Sequence, residues 1–255
     1  MSKQLISVQI AGLSDTGLVR QLNEDYIGFD RDLGVAVLAD GIGGHKSGEL
    51  ASRLAVYSAL DDLRERLGTE TSKASSDSEY EDQIRSIIND SNSMIFNAAE
   101  VRKGHKGMGT TVVATLVRGE HLYAGYVGDS RLYLYRDENL TRLTRDHSVA
   151  QELIDKGSHT EDQVRQFKIG HILTRALGIG ERVEVDTLRH DAKHKDIFIL
   201  CSDGLWDMLG DWRILDVLKE TPEDLDVATK TLVQIANRNG GKDNISVILM
   251  KILKN

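Results

Sequence analysis

Apolar positions along this chain fall into two patterns: short runs that stop at a glycine or an acid, and longer stretches recurring every three or four residues. The sharpest short run is V-A-V-L-A at 35–39, closed by Asp40 and then by Gly41, Gly43 and Gly44. A continuous apolar run bounded by turn residues suits a strand buried on both faces. Residues 6–11, 110–117, 122–127, 131–136, 197–201 and 245–249 are apolar, β-branched or alternating in the same way, and are expected to be strands. The breaks between 110–117, 122–127 and 131–136 are too short for a crossover, which predicts an antiparallel meander.

The longer stretches predict helices. One starts near Ser47, a capping residue, and carries Leu50, Leu54, Tyr57, Leu60, Leu63 and Leu67 to a stop at Gly68. Residues 69–78 are a polar surface loop in composition. A second helix over 79–102 places Ile84, Ile88, Ser91, Ile95 and Ala98 on one face, and 104–109 ends it. Ser148 and Gln151 have the spacing of a capping box ahead of Leu153 and Ile154. Residues 211–220 and 223–238 are helical in period, while 157–184 follow no period, as in a lid or functional loop.

Composition narrows the class. A chain of 255 residues with 40% hydrophobic and 28% charged residues suits a globular domain with an ample core. No apolar stretch is long enough to span a bilayer and no signal pattern opens the chain, so no membrane partner is expected. A net charge of −8 argues against a nucleic-acid partner and fits carboxylates gathered around cations. The single cysteine, Cys201, excludes an intramolecular disulfide, suits a reducing cytoplasm and lies in an apolar run as a core thiol would.

Candidate chemistry sits at the strand ends. The glycines after Asp40 are not a P-loop, because His45 separates Gly44 from Lys46, and Lys46 stands where the dinucleotide fingerprint needs its third glycine. Asp40 alone is an ordinary turn residue. Asp129, Asp203 and Asp243, however, also stand where an apolar strand begins or ends. Hard divalent cations such as magnesium and manganese take oxygen ligands and keep several waters, so single aspartates from separate strands suit them. Two such ions sharing a carboxylate acidify a water, an arrangement suited to phosphoryl chemistry. Arg20, one turn before the Asp40 strand, is then a candidate two-pronged clamp on phosphate.

The segments R-Q-L-N-E-D at Arg20, L-A-D-G-I-G-G-H at Leu38, G-T-T at Gly109 and V-G-D-S-R at Val127 open an ordered set. It continues with L-T-R-D-H-S at Leu143, L-T-R-A-L-G at Leu173, L-C-S-D-G-L at Leu200 and G-G-K-D-N-I-S-V at Gly240. In this order they resemble the metal-dependent protein phosphatases of the type 2C class (the PPM family), in their compact bacterial form. The resemblance implies an α+β fold, a sandwich of two antiparallel sheets flanked by pairs of helices, as one domain over 1–255 with a variable flap within 157–184. It implies a protein-serine/threonine phosphatase that hydrolyses phosphoserine and phosphothreonine with a metal-activated water, using two tight Mn2+ or Mg2+ ions and a weaker third.

Carried over position by position, Asp40 bridges two ions with the Gly41 carbonyl on the first, and Asp203 and Asp243 bind the second. Asp129 shares a third ion with Asp203, Arg20 binds the substrate phosphate, and Glu24 and Asp25 orient metal-held waters. The expected partners are phosphoproteins, including a Ser/Thr kinase or its targets, for a cytoplasmic monomer. One departure bears on the mechanism: some relatives have a histidine directly after the Asp-Gly pair as a proposed general acid, and here Ile42 stands there. The acid is left open between His45 and a metal-held water, and local capping accounts for His147 and Ser148. Two rivals are a non-catalytic scaffold of the same fold, which needs no metal cage, and a metal-dependent phosphodiesterase or nuclease, which the acidic balance disfavours.

Overall fold

Strands that are apolar on both faces need cover on both sides, and here two stacked sheets and two helix pairs supply it. The computed structural model describes residues 6–43, 46–68, 77–101, 106–160, 163–164 and 172–254. Its first strands are β1 (Ile6–Asp15), β2 (Asp25–Asp30), β3 (Val35–Ile42), β4 (Gly109–Thr110), β5 (Val112–Arg118) and β6 (His121–Val127). They are followed by β7 (Arg131–Arg136), β8 (Asn139–Arg142), β9 (Asp186–Asp191), β10 (Ile197–Cys201) and β11 (Ile245–Lys254). The helices are α1 (Lys46–Gly68), α2 (Asp77–Val101), α3 (Val149–Asp155), α4 (Asp203–Glu220) and α5 (Leu225–Arg238).

One sheet runs β1-β11-β10-β7-β8 and the other β2-β3-β5-β6-β9, with β4 paired to the far end of β3; the pairings are antiparallel. The strand period of two sorts the central run into two cores. Val35, Val37 and Ala39 pack under α1 and α2 with Ala51, Ala55, Ala59, Ile84 and Ile88. Ala36 and Leu38 face the other sheet and meet Phe198, Leu200, Ile248 and Met250. On the far side, Ile199, Cys201, Val247 and Leu249 pack against Leu209, Ile214, Leu232 and Ala236 of α4 and α5. The expected sandwich with flanking helix pairs is the observed architecture.

Several local expectations are corrected. The meander does not form: β6 and β7 lie in different sheets, and Gly128, at φ +106°, lets the three-residue break carry the chain across the sandwich. A short break needs a hairpin only when both strands stay in one sheet. α1 begins at Lys46, so Ser47 falls inside its first turn, and Tyr57 is 49% exposed. Small Ala51, Ala55 and Ala59 line the buried face instead, with Leu60, Leu63 and Leu67 below them. α4 starts eight residues earlier than its period suggested, because Gly210 at φ +68° kinks it and breaks the phase of the apolar positions.

β8 and β9 had too few apolar residues to stand out, and both are edge strands. Ser148 does cap α3, accepting from the Gln151 N–H at 3.2 Å, but the Gln151 side chain bonds Arg142 and Asp155 rather than closing the box. His45, the loop at 69–76, Arg102 at the end of the second helix, and 161–162 and 165–171 of the flap lie outside the described residues.

Phe198 is fully buried between the sheets while Trp212 is 67% exposed. Phe198→Ala is therefore expected to cost about 3–5 kcal/mol in urea unfolding, and Trp212→Ala within roughly 0.5 kcal/mol of zero. Equal effects for the two variants would contradict the layered core.

Candidate active site

The ends of core strands deliver the candidate side chains to one cleft. Asp40 closes the apolar stretch of β3. Immediately after it, Gly41 passes so close to α1 that a Cβ there would stand 2.2 Å from the Gly48 carbonyl oxygen. The same crowding recurs after β10, where a Cβ on Gly204 would stand 2.0 Å from the Asn244 carbonyl oxygen. Both Asp-Gly pairs thus answer to backbone packing, which fixes where the aspartates emerge. Asp203 opens α4, where a carboxylate is favoured by the helix dipole.

Backbone hydrogen bonds tie these ends together. The Asp40 N–H donates to Thr111 Oγ1 at 3.0 Å, and its carbonyl accepts from the Thr111 N–H and Thr110 Oγ1, both at 2.8 Å. Thr111 Oγ1 in turn lies 2.7 Å from Ser130 Oγ, linking β3 to the Asp129 turn. Trp206 Nε1 donates to the Asp129 carbonyl at 3.1 Å, and the Arg131 guanidinium stacks 3.5 Å over the Trp206 ring. Asn244 joins the other edge: its Oδ1 accepts from the Glu24 N–H at 2.8 Å, and its Nδ2 donates to the Thr16 and Leu22 carbonyls. The loop carrying Arg20 and Glu24 is thereby held against the residue next to Asp243.

The resulting cleft, of about 780 Å³, is lined by Arg20, Glu24, Asp40, Gly41, Asp129, Asp203 and Asp243 among others. The expected metal- and phosphate-binding residues and Glu24 all line it, while Asp25 does not. That carboxylate is 4% exposed and accepts from Ser202 Oγ at 2.8 Å, behind the wall of the cleft. Arg20 is tied to the carboxylates: its Nη2 donates to Asp243 Oδ2 at 2.7 Å. Ser202, Asn244, Thr111 and Trp206, to which the sequence assigns no role, make the contacts that hold the aspartates. Cys201 is buried in the core as expected, and burial pushes its thiol up.

Like charges crowd this site. Burial, then repulsion from Asp25, Asp203, Asp129 and Asp243, holds the Asp40 carboxyl well above the usual carboxylate range. Burial also pushes Asp25 up to about 7, with repulsion from Asp203 and Asp243 adding to it and hydrogen bonds from Ser246 and Ser202 opposing it. Asp25 Oδ1 is buried with no hydrogen-bond partner.

Such a site favours a cation. Its donors are all oxygens, the chemistry of hard divalent ions. Among the described residues no three His, Cys, Asp or Glu groups close into a ready-made cage. Sparse carboxylate ligation completed by water is what Mg2+ and Mn2+ accept, so the residues fit those ions.

A family model described as Protein phosphatase 2C matches residues 19–250. The serine/threonine phosphatase stp of Listeria welshimeri is 35% identical over 241 residues, 93% of each chain. Among solved structures, that of the Mycobacterium tuberculosis serine/threonine phosphatase PstP/Ppp has a TM-score of 0.87 at 32% identity, covering 98% of this chain and 100% of that one. The catalytic domain of PstP in complex with two manganese ions has a TM-score of 0.84 at 33% identity, with the same coverage.

Relief of charge repulsion gives a prediction independent of turnover. In chelator, Asp40→Asn is expected to melt about 2–4 °C above the parent, the equivalent of roughly 1 kcal/mol for a chain of this size. A lower melting temperature in calorimetry would mean that Asp40 serves the fold rather than a cation.

Proposed function

The chain belongs to the protein phosphatase 2C family, and from that premise we propose how its residues carry out metal-dependent removal of phosphate from phosphoserine and phosphothreonine in proteins. The observation that carries the reading is the meeting of Asp40, Asp129, Asp203 and Asp243 with Arg20 in one cleft. Asp40, the Gly41 carbonyl, Asp203 and Asp243 would hold two Mn2+ or Mg2+ ions, and Asp129 with Asp203 would hold a weaker third. When bound, these ions supply Lewis acidity, activating water and neutralising phosphate charge.

The chain's own contribution is placement. Arg20, which bonds Asp243 at 2.7 Å on the rim of the cleft, would bind the substrate phosphate, because a guanidinium fork matches two phosphate oxygens. Glu24 and the buried Asp25 would orient metal-held waters from behind, and Ser202 ties Asp25 to the start of α4. Ile42 lines the cleft directly after the Asp-Gly pair, so the side chain at that position has no proton to deliver to the leaving alkoxide. A scaffold would have no reason to keep so costly a carboxylate cluster, and an acidic mouth repels nucleic acid.

The phosphatase domain is proposed to act in the cytoplasm as a monomer on phosphoproteins, including a Ser/Thr kinase or its targets. No helix among the described residues is long and apolar enough to cross a membrane.

Release of phosphate from phosphoserine and phosphothreonine peptides in Mn2+, with none in excess chelator, tests the function. Equal release in both conditions would overturn it, and degradation of a plasmid in place of peptide turnover would favour the nuclease reading. Arg20→Ala is expected to raise KM and lower kcat/KM with Mn2+ binding little changed, and Arg20→Lys should recover little. Unchanged kinetics for Arg20→Ala would remove it from the site.

The two classes of aspartate should also separate. Asp129→Ala should stay folded and keep two ions while kcat falls about ten- to a thousandfold, whereas Asp203→Ala should lose an ion from the tight pair. Wild-type turnover by Asp129→Asn would reduce Asp129 to a turn residue.

A further inference from the structure

One buried imidazole joins the two walls of the cleft. His147 is 3% exposed and reaches the Asp129 turn through both its backbone and its ring. Its N–H donates to the Gly128 carbonyl at 2.9 Å, while its Nδ1 accepts from the Gly128 N–H at 3.1 Å. Gly128 therefore has both peptide groups held by one residue, at φ +106° and with Thr111 filling the place of a Cβ.

The same residue grips the opposite wall. The His147 carbonyl accepts from the Thr174 N–H at 2.9 Å, and Thr174 and Arg175 line the cleft. Because Nδ1 accepts, Nε2 carries the proton, and it lies 3.3 Å from Asp186 Oδ2 as donor. The other Asp186 oxygen accepts from Arg175 Nη1 at 3.0 Å, and Arg175 Nη2 lies 2.9 Å from Glu184. Tyr126 stacks on the imidazole with centroids 5.3 Å apart and a 17° angle, fixing the ring plane.

We infer that His147 is a positioning residue which, in its Nε2–H form, sets the Asp129 turn through Nδ1 and anchors the Arg175 wall through Nε2. The inference rests on the assignment of Asp129 to the weaker metal site. Partners that orient ligands from behind affect metal affinity about 10–100-fold. A histidine that merely fills the core or precedes a helix cap would affect stability alone.

Two substitutions divide its functions. H147N would place an amide oxygen near the position of Nδ1 and fall short of Asp186; H147Q would reach the position of Nε2 but leave the Gly128 N–H without its acceptor. Manganese titration calorimetry, the Mn2+ midpoint of activation, KM, kcat and melting temperature are measured for H147N, H147Q and Asp129→Ala.

H147N is expected to keep the weaker Mn2+ site and the wild-type midpoint while KM for a phosphopeptide rises about three- to tenfold. H147Q is expected to weaken that site and raise the midpoint about 10–100-fold, with KM little changed. Equal losses of melting temperature in both variants, with the weaker site intact, would overturn the inference while leaving Asp129 in place. An unaltered weaker site in Asp129→Ala would overturn both assignments. If H147Q does not fold, loss of the weaker site in H147N overturns the inference and its retention with the raised KM supports it.

Discussion

Repulsion among carboxylates held at fixed strand ends is the constraint on which this structure turns. Asp40 is hemmed by Asp25, Asp203, Asp129 and Asp243, and none of them can retreat. Asp25 faces Asp40 across the β2–β3 ladder, Asp203 is tied to the first turn of α4, and Asp129 sits in a turn gripped by Trp206 and His147. In a free chain these groups would separate and hydrate. The fold holds them together by burying large apolar surfaces elsewhere, in three layers between and outside the sheets. Part of that stabilisation is offset at the cleft, and a divalent cation reverses the sign of the local term.

The topology explains why the site is composed of distant segments. Central strands β3 and β10 lie in different sheets, yet Asp40 and Asp203 follow their apolar stretches into the same cleft. β6 hands the chain to β7 across the sandwich, placing Asp129 between them. Long-range bonds then lock the ends: Ser202 to Asp25 spans 177 residues and Asn244 to Glu24 spans 220. Arg20 belongs to this lock through its 2.7 Å hydrogen bond to Asp243.

Much of the cleft was legible in the sequence because a carboxylate ending an apolar run is a local signal. Asp40, Asp129, Asp203 and Asp243 could be picked out that way, and Arg20 by its place one turn earlier. The supporting residues could not. Trp206 and Asn244 matter through contacts with segments remote in sequence, which no local pattern reveals even though Asn244 directly follows Asp243. His147 looked like part of a helix cap because its neighbour Ser148 is one. The expected meander failed for a related reason: a short break fixes the distance between strands but not the sheet that receives the second one. Gly210 likewise hid the first half of α4 by shifting the helical phase.

Counting ions and phosphate together tests the metal-dependent mechanism most directly. Dialysed protein is titrated with Mn2+, bound metal is measured by elemental analysis, and phosphate release from a phosphoserine peptide is followed at each point. Negligible release is predicted until two ions are bound per chain, with a further rise as a weaker ion enters. Full release from protein carrying no metal, or release unaffected by filling of the second site, would contradict that mechanism.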